Sequence, residues 1–131
     1  MKSRETVSAE VFRLVNVERK KAGVSPLERN STSDRIAVDW SETMARTGDF
    51  MHRPNFTSQY PSGWHAAPGN ILMRSAGSGS ATGLAAAMVQ QWMGSSRHRQ
   101  NILGASYTDL GVGVAQSSKG SWYATQNFAG H

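Results

Sequence analysis

The stretch that decides the fold is residues 92–114, which read WMGSSRHRQNILGASYTDLGVGV. Apolar residues recur every fourth position up to its start, at Leu84, Met88 and Trp92. Its last residues instead alternate with small ones, at Leu110, Val112 and Val114. A helix that ends near Gly94 should therefore be followed by a strand, so the chain is predicted to mix helices and strands.

Two more helices are predicted upstream. The first should span about Ser8–Lys21 and stop at Ala22-Gly23, because apolar residues recur at helical spacing in it. The second should begin at Ser31, which with Asp34 three residues later resembles a capping box, and should end before Gly48. The stripes that support the two helices are Val7, Val11, Leu14 and Val15, and Ile36, Trp40 and Met44.

Downstream, apolar and polar residues alternate again over residues 122–128, after the turn-forming pair Lys119-Gly120, which predicts a β-hairpin. Residues 53–83 are rich in Pro, Gly, Ser and Asn, so they are predicted to form a long loop with a short extended piece at Asn70–Met73. Helices first and antiparallel strands last indicate an α/β (α+β) domain, with helices packed on the faces of a short sheet. We expect one domain over residues 1–131.

Composition narrows the class of protein. The 131 residues contain no cysteine, which excludes disulfides and thiolate chemistry, and no apolar run of membrane-spanning length. The start of the chain has Lys2 and Arg4 but no apolar stretch after them, so no signal peptide is expected in this sequence, as would also be true of a processed secreted protein. The net charge is +5, and residues 50–108 hold four arginines without one Asp or Glu. Attraction to anionic partners is therefore expected, although no specific nucleic-acid motif is present.

Two fragments carry a family resemblance. One is residues 92–103 with residues 107–114, and the other opens at Val15-Asn16 and continues through Arg19, Gly23, Pro26-Leu27, Ala37, Trp40, Ser41 and Met44. Together with Asn70-Ile71 and residues 122–129, they closely resemble bacterial members of the CAP superfamily, named for cysteine-rich secretory proteins, antigen 5 and pathogenesis-related proteins. The resemblance implies a three-layer α-β-α sandwich, a secreted or cell-envelope location and a large central cleft.

In many CAP proteins that cleft holds two histidines and two glutamates, which in some bind a divalent metal. The resemblance places the histidines at His52 and His98, but puts Gly69 and Ser95 where the glutamates would stand. Zinc normally takes three or four protein ligands, so a zinc site would need another donor, for which His65 is the weak candidate. A divalent metal such as zinc is the one cofactor that these residues leave open. His52 and His98 are equally well read as structural residues that hydrogen-bond the loops around the cleft.

Three functions remain open for the cleft. The first is binding without turnover, with Arg53, Arg97 and Arg99 beside the histidines attracting an anion. The candidate ligand-binding set is His52, His98, Asn70, Asn101, Arg53, Arg97 and Arg99. The expected partner is an extracellular small molecule, a lipid or an anionic cell-envelope polymer.

The second function is hydrolysis, metal-assisted or with Ser95 as nucleophile and a histidine as base, although no orienting acid is evident. The third is a structural module with a vestigial cleft. A lipid groove lined by Met and aromatic side chains is a further family-level alternative, but those side chains at helical spacing are more often core. Its residues would be Phe56, Met73, Met88, Trp92 and Met93.

Overall fold

The computed structural model describes residues 3–54, 63–75 and 80–130, with the backbone alone for residues 65–68. Its helices are α1 (Arg4–Lys21), α2 (Ser31–Thr47), α3 (Ala81–Met93) and α4 (Ser96–Ile102). Its strands are β1 (Glu28–Arg29), β2 (His65–Ser75), β3 (Asp109–Gln116) and β4 (Ser121–Gly130). No helix in the described ranges is long and apolar enough to cross a lipid bilayer.

The four strands form one sheet in the order β1-β3-β4-β2. β4 pairs antiparallel with both β3 and β2, whereas the two-residue β1 pairs parallel with the start of β3. Helix α2 packs on one face of this sheet, and α1 and α3 pack on the other. The predicted hairpin and the α-β-α sandwich with a mainly antiparallel sheet are therefore confirmed.

Strand β3 is buried on both faces. The alternation of large and small residues along it allows a helix layer to pack on each face. Its branched side chains enter the core shared with α1 and α3. Its glycines face α2, where a Cβ on Gly113 would overlap the backbone of Ala37 and Val38. Because side chains alternate between faces along a strand, the Gly-Val repeat lets α2 lie directly on the sheet.

The main core lies between the sheet and the α1–α3 face. Met88 and Trp92 are completely buried in it, which confirms the core interpretation of these two residues. The Trp92 indole N–H donates to the carbonyl of Ile71 at 3.2 Å. Trp92 therefore ties α3 to β2, the last strand of the sheet. Met73, two residues further along β2, is 45% exposed, and Phe56 lies outside the described residues.

The prediction of a long loop over residues 53–83 is wrong in part, because β2 occupies residues 65–75 and α3 already begins at Ala81. Strand β2 contains a Pro and a Gly, and its register with β4 shifts between Ala67 and Asn70. This irregularity removes the strict alternation by which a strand is recognised. Helix α4 was also not predicted, since its seven residues bury Ile102 alone.

The start of α2 also differs from the prediction. Its N-cap is Asn30, whose side chain accepts from Ser33 N, so Ser31 is the first helical residue instead of the cap. Asp34 does not complete a capping box. Its Oδ1 accepts from Val112 N at 2.9 Å and from Arg29 Nε at 3.0 Å, which joins α2 to the edge of β3 beyond β1.

Candidate functional site

Three of the sequence-predicted residues, Asn70, His98 and Asn101, are joined by hydrogen bonds at the free edge of β2, next to Gly69. β2 is the last strand of the sheet, so one of its edges is paired with β4 and the other is free. Helix α4 contacts β2. We call Gly69, Asn70, His98, Asn101 and the neighbouring His52 the β2-edge site. His52 lies five residues after the end of α2, the helix that packs on the sheet face opposite α1 and α3.

A set of carboxamides joins β2 to α4. Asn101 Nδ2 donates to Asn70 Oδ1 at 2.9 Å and to the Gly69 carbonyl at 3.4 Å. Asn70 Nδ2 donates to the His98 carbonyl at 3.1 Å and to Gln126 Oε1 at 3.0 Å. Asn70 and Gln126 are completely buried, so these bonds are shielded from water. The network therefore fixes the backbone of α4 at His98 relative to the edge of the sheet.

The two predicted histidines lie near one another. His98 is half-buried on α4 and His52 is exposed. Burial lowers the pKa of His98, and the neighbouring His52 and Arg97 lower this pKa further. His98 is therefore neutral at pH 7, in surroundings that disfavour a second positive charge. Neither imidazole forms a side-chain hydrogen bond with any other described residue.

The three predicted arginines have different surroundings. Arg97 and Arg99 are exposed on α4, and within the described ranges neither is paired with a carboxylate. Arg53 instead forms an ion pair with Asp39 at 2.9 Å, and its guanidinium lies over the ring of Trp40, 5.8 Å from the centroid. Its positive charge is thus already balanced. Positive charge at the site comes mainly from α4.

The segment before His52 is held against α2. The Trp40 indole N–H donates to the Met51 carbonyl at 2.9 Å, and Arg53 Nη1 reaches the Ile36 carbonyl at 3.4 Å. These two contacts flank His52 in the chain. His52 is therefore positioned by α2 even though its own side chain is exposed.

The donors of the site do not fit the divalent metal that the family resemblance implies. His52 and His98 supply two imidazoles, whereas zinc sites normally use three or four protein ligands. Among the residues that the structure describes, no three His, Asp or Glu side chains are grouped as metal ligands. The proposed third ligand, His65, has a described backbone but not a described side chain.

Ser95, the candidate nucleophile, directly precedes α4, and its side chain makes no capping hydrogen bond. It is not hydrogen-bonded to either histidine in the described part of the chain. No carboxylate orients an imidazole there, as a catalytic triad would require. Ser95 is thus near His98 along the chain, but no histidine in the described residues is placed to act as its base.

Sequence reasoning missed Gln126. It interrupts the otherwise apolar alternation of Trp122, Ala124 and Phe128 on β4, and this interruption was the available signal. A polar residue in a core stripe needs hydrogen-bond partners, and Gln126 finds one in Asn70. Its Nε2 is buried without a partner among the described residues.

The sequence profile of the cysteine-rich secretory protein family, abbreviated CAP, matches residues 12–128. Among curated proteins, the chain is 34% identical over 123 residues to the uncharacterized protein YkwD of Bacillus subtilis. That alignment covers 92% of this chain but 46% of YkwD, so the chain spans less than half of the relative's length.

Two solved structures are similar in fold. An extracellular protein containing an SCP domain from Bacillus anthracis matches with a TM-score of 0.70 and 23% identity, over 95% of this chain and 40% of that one. An outer surface protein from Borrelia burgdorferi matches with a TM-score of 0.77 and 13% identity, over 98% of each chain. At identities this low, the structural similarity shows a common fold and nothing more.

Proposed function

The chain belongs to the cysteine-rich secretory protein (CAP) family, and from this premise we propose that it is an extracellular or cell-envelope binding domain. In this proposal the β2-edge site captures an anionic ligand and does not turn it over. The location is supported by the two solved neighbours, of which one is described as extracellular and the other as an outer surface protein.

The observation that carries the proposal is the positive charge on α4, which is not paired with any described carboxylate. Arg97 and Arg99 are exposed on α4 and have no carboxylate partner among the described residues. Arg97 and His52 are both close enough to His98 to lower its pKa. The chain has no acidic residue between Phe50 and Thr108 that could offset this charge locally. Guanidinium groups are suited to phosphate and carboxylate, because their planar N–H groups can donate two hydrogen bonds at once.

The histidines also favour an anionic ligand. A bound anion would stabilise the protonated form of His98, whose pKa is lowered by burial and by the neighbouring His52 and Arg97. Proton uptake and anion binding should therefore support each other. A cation would be repelled by the same positive charges. This agrees with the site having too few ligands for a metal ion.

The proposal is tested by measuring binding to phosphatidylglycerol vesicles and to a poly(glycerol phosphate) polymer, with phosphatidylcholine vesicles as the neutral reference. The test variant is Arg97→Ala/Arg99→Ala. The control is Arg35→Ala/Arg46→Ala, which removes the same charge from two exposed positions on α2. Binding should weaken with added salt, since exposed charges are screened.

Each basic residue near an anionic surface contributes about 1 kcal/mol, so the loss of both arginines should weaken binding roughly 30-fold. The α2 control should weaken it much less. Equal losses in the two double variants would show that net charge alone attracts the ligand. That result, or no binding of either anionic probe by the wild type, would contradict the proposal.

A further inference from the structure

We propose that Gly69 is a specificity-determining residue of the β2-edge site, because its backbone excludes a carboxylate from the position where the family resemblance would place a glutamate. The absence of a carboxylate at position 69 is therefore a consequence of main-chain geometry and not of the choice of one side chain. The inference rests on the proposed function in one respect: it explains why the site favours anions. Its geometric part stands independently.

The backbone of Gly69 leaves no space for a side chain. Its φ is +24°, in the left-handed region that residues with a Cβ rarely adopt. A Cβ there would overlap the carbonyl oxygen of Gln126 and would lie 2.7 Å from the carbonyl carbon of the same residue and 3.2 Å from Asn127 Cα. These are main-chain atoms of β4, which cannot rotate away as a side chain can.

Neither side of this contact can easily move. β4 is an inner strand, paired with β3 on one side and β2 on the other. Gly69 lies where the register of β2 against β4 shifts, and its carbonyl accepts from Asn101. Any shift that made room for a Cβ would therefore disturb the pairing of β2 or its carboxamide bonds to α4. Because packed interiors have few voids, such a shift is costly.

Ser95 provides the contrast, since the family resemblance places the second missing glutamate there. Its φ of −112° and ψ of 124° are ordinary extended values that any residue adopts. Its side chain is half exposed and makes no cap hydrogen bond that a substitution would break. A carboxylate can therefore be introduced at Ser95, one helical turn before His98, but not at Gly69.

The test compares the melting temperatures of Gly69→Ala, Gly69→Glu and Ser95→Glu, with Gly48→Ala as the matched control. Gly48 also has a positive φ, +79°, but a Cβ there would meet nothing within 4 Å. Gly48→Ala should thus report conformational strain alone, a fall of a few degrees. Gly69→Ala should fall at least twice as far, and Gly69→Glu should fall at least as far as Gly69→Ala.

Ser95→Glu should melt within about 2 °C of the wild type. Its carboxylate should raise the pKa of His98, measured by NMR titration, and should weaken binding to phosphatidylglycerol vesicles about fivefold. A Gly69→Ala melting temperature no lower than that of Gly48→Ala would overturn the inference. So would a folded Gly69→Glu protein that binds zinc, or a Ser95→Glu protein as unstable as Gly69→Ala.

The two proposals can fail separately. If the wild type binds no anionic probe while the four melting temperatures follow the expected order, the proposed function is wrong and the geometric role of Gly69 stands. If anion binding is present and Gly69→Ala behaves like Gly48→Ala, the role of Gly69 is wrong and the proposed function stands.

Discussion

Replacing Arg19 by Met should destabilise the whole domain and loosen α4 in particular. Arg19 lies near the end of α1 and is completely buried. Its Nε donates to the Ser25 carbonyl at 2.8 Å, and its Nη1 donates to the carbonyls of Ile102 and Gly104 at 2.8 and 3.0 Å. Ile102 is the last residue of α4, so this one guanidinium connects α1 with the helix that carries His98.

The size of the effect follows from the three carbonyls. Methionine has a similar length but no N–H group, so the carbonyls of Ser25 and Ile102 would lose this donor. The Gly104 carbonyl would keep its hydrogen bond from Tyr107 N. The bond to Ile102 is buried, and those to Ser25 and Gly104 are partly buried. An unsatisfied buried acceptor costs about 1–3 kcal/mol and a partly buried one costs less, while removal of the desolvated charge offsets part of this cost. Arg19 Nη2 is buried and has no partner among the described residues, which increases that offset. A net loss of about 2–3 kcal/mol is expected.

The measurement is thermal or urea unfolding of Arg19→Met, with Arg13→Met as control. Arg13 is on the same helix but exposed, and it pairs with Glu10 at 2.9 Å on the helix surface. For a domain of this size, about 2–3 kcal/mol corresponds to a melting temperature lower by roughly 8–12 °C. Arg13→Met should stay near the wild type, because exposed pairs contribute little. If the two variants melt within about 2 °C of each other, the reasoning about Arg19 is refuted.

Two further predictions concern α2 and the pH dependence of stability. Gly113→Ala should cost at least about 1–3 kcal/mol in urea unfolding, since its Cβ would overlap the α2 backbone; a wild-type midpoint would contradict the packing described. Because the pKa of His98 lies below its ordinary value of 6.5, the unfolded chain binds more protons as the pH falls through 6.5, so stability should decline on acidification. His98→Gln should lose this part of the decline, and an unchanged pH profile would contradict it.

Helices α1, α2 and α3 and the β3–β4 hairpin could be predicted because their signals are local. Each has an apolar stripe at a constant spacing, which one-sided burial produces. Helix α4 has no such stripe, because its bonds to the rest of the molecule are made by Asn101 and by backbone carbonyls. Strand β2 was underestimated for a similar reason, since the register shift near Gly69 breaks its alternation.

The candidate site was predicted only through the family resemblance. His52 and His98 are separated by two elements of secondary structure, so no spacing rule joins them. Their electrostatic interaction requires the segment that follows α2 to come near α4, which is a property of the tertiary structure. The carboxamide network is likewise invisible in the sequence, because Asn70, Asn101 and Gln126 are brought together from three separate elements.

By itself, the sequence determined the mixed α/β class, the main helices, the hairpin, and a stretch of residues 50–108 that has arginines but no acidic residue. These properties are local or compositional and need no contact between distant residues. Only the tertiary structure decided that Arg53 is balanced by Asp39 while Arg97 and Arg99 are not paired within the described residues. It also decided that position 69 has no space for a Cβ. The physical reason is that charge pairing and excluded volume depend on which segments come into contact, as β4 does with the backbone of Gly69.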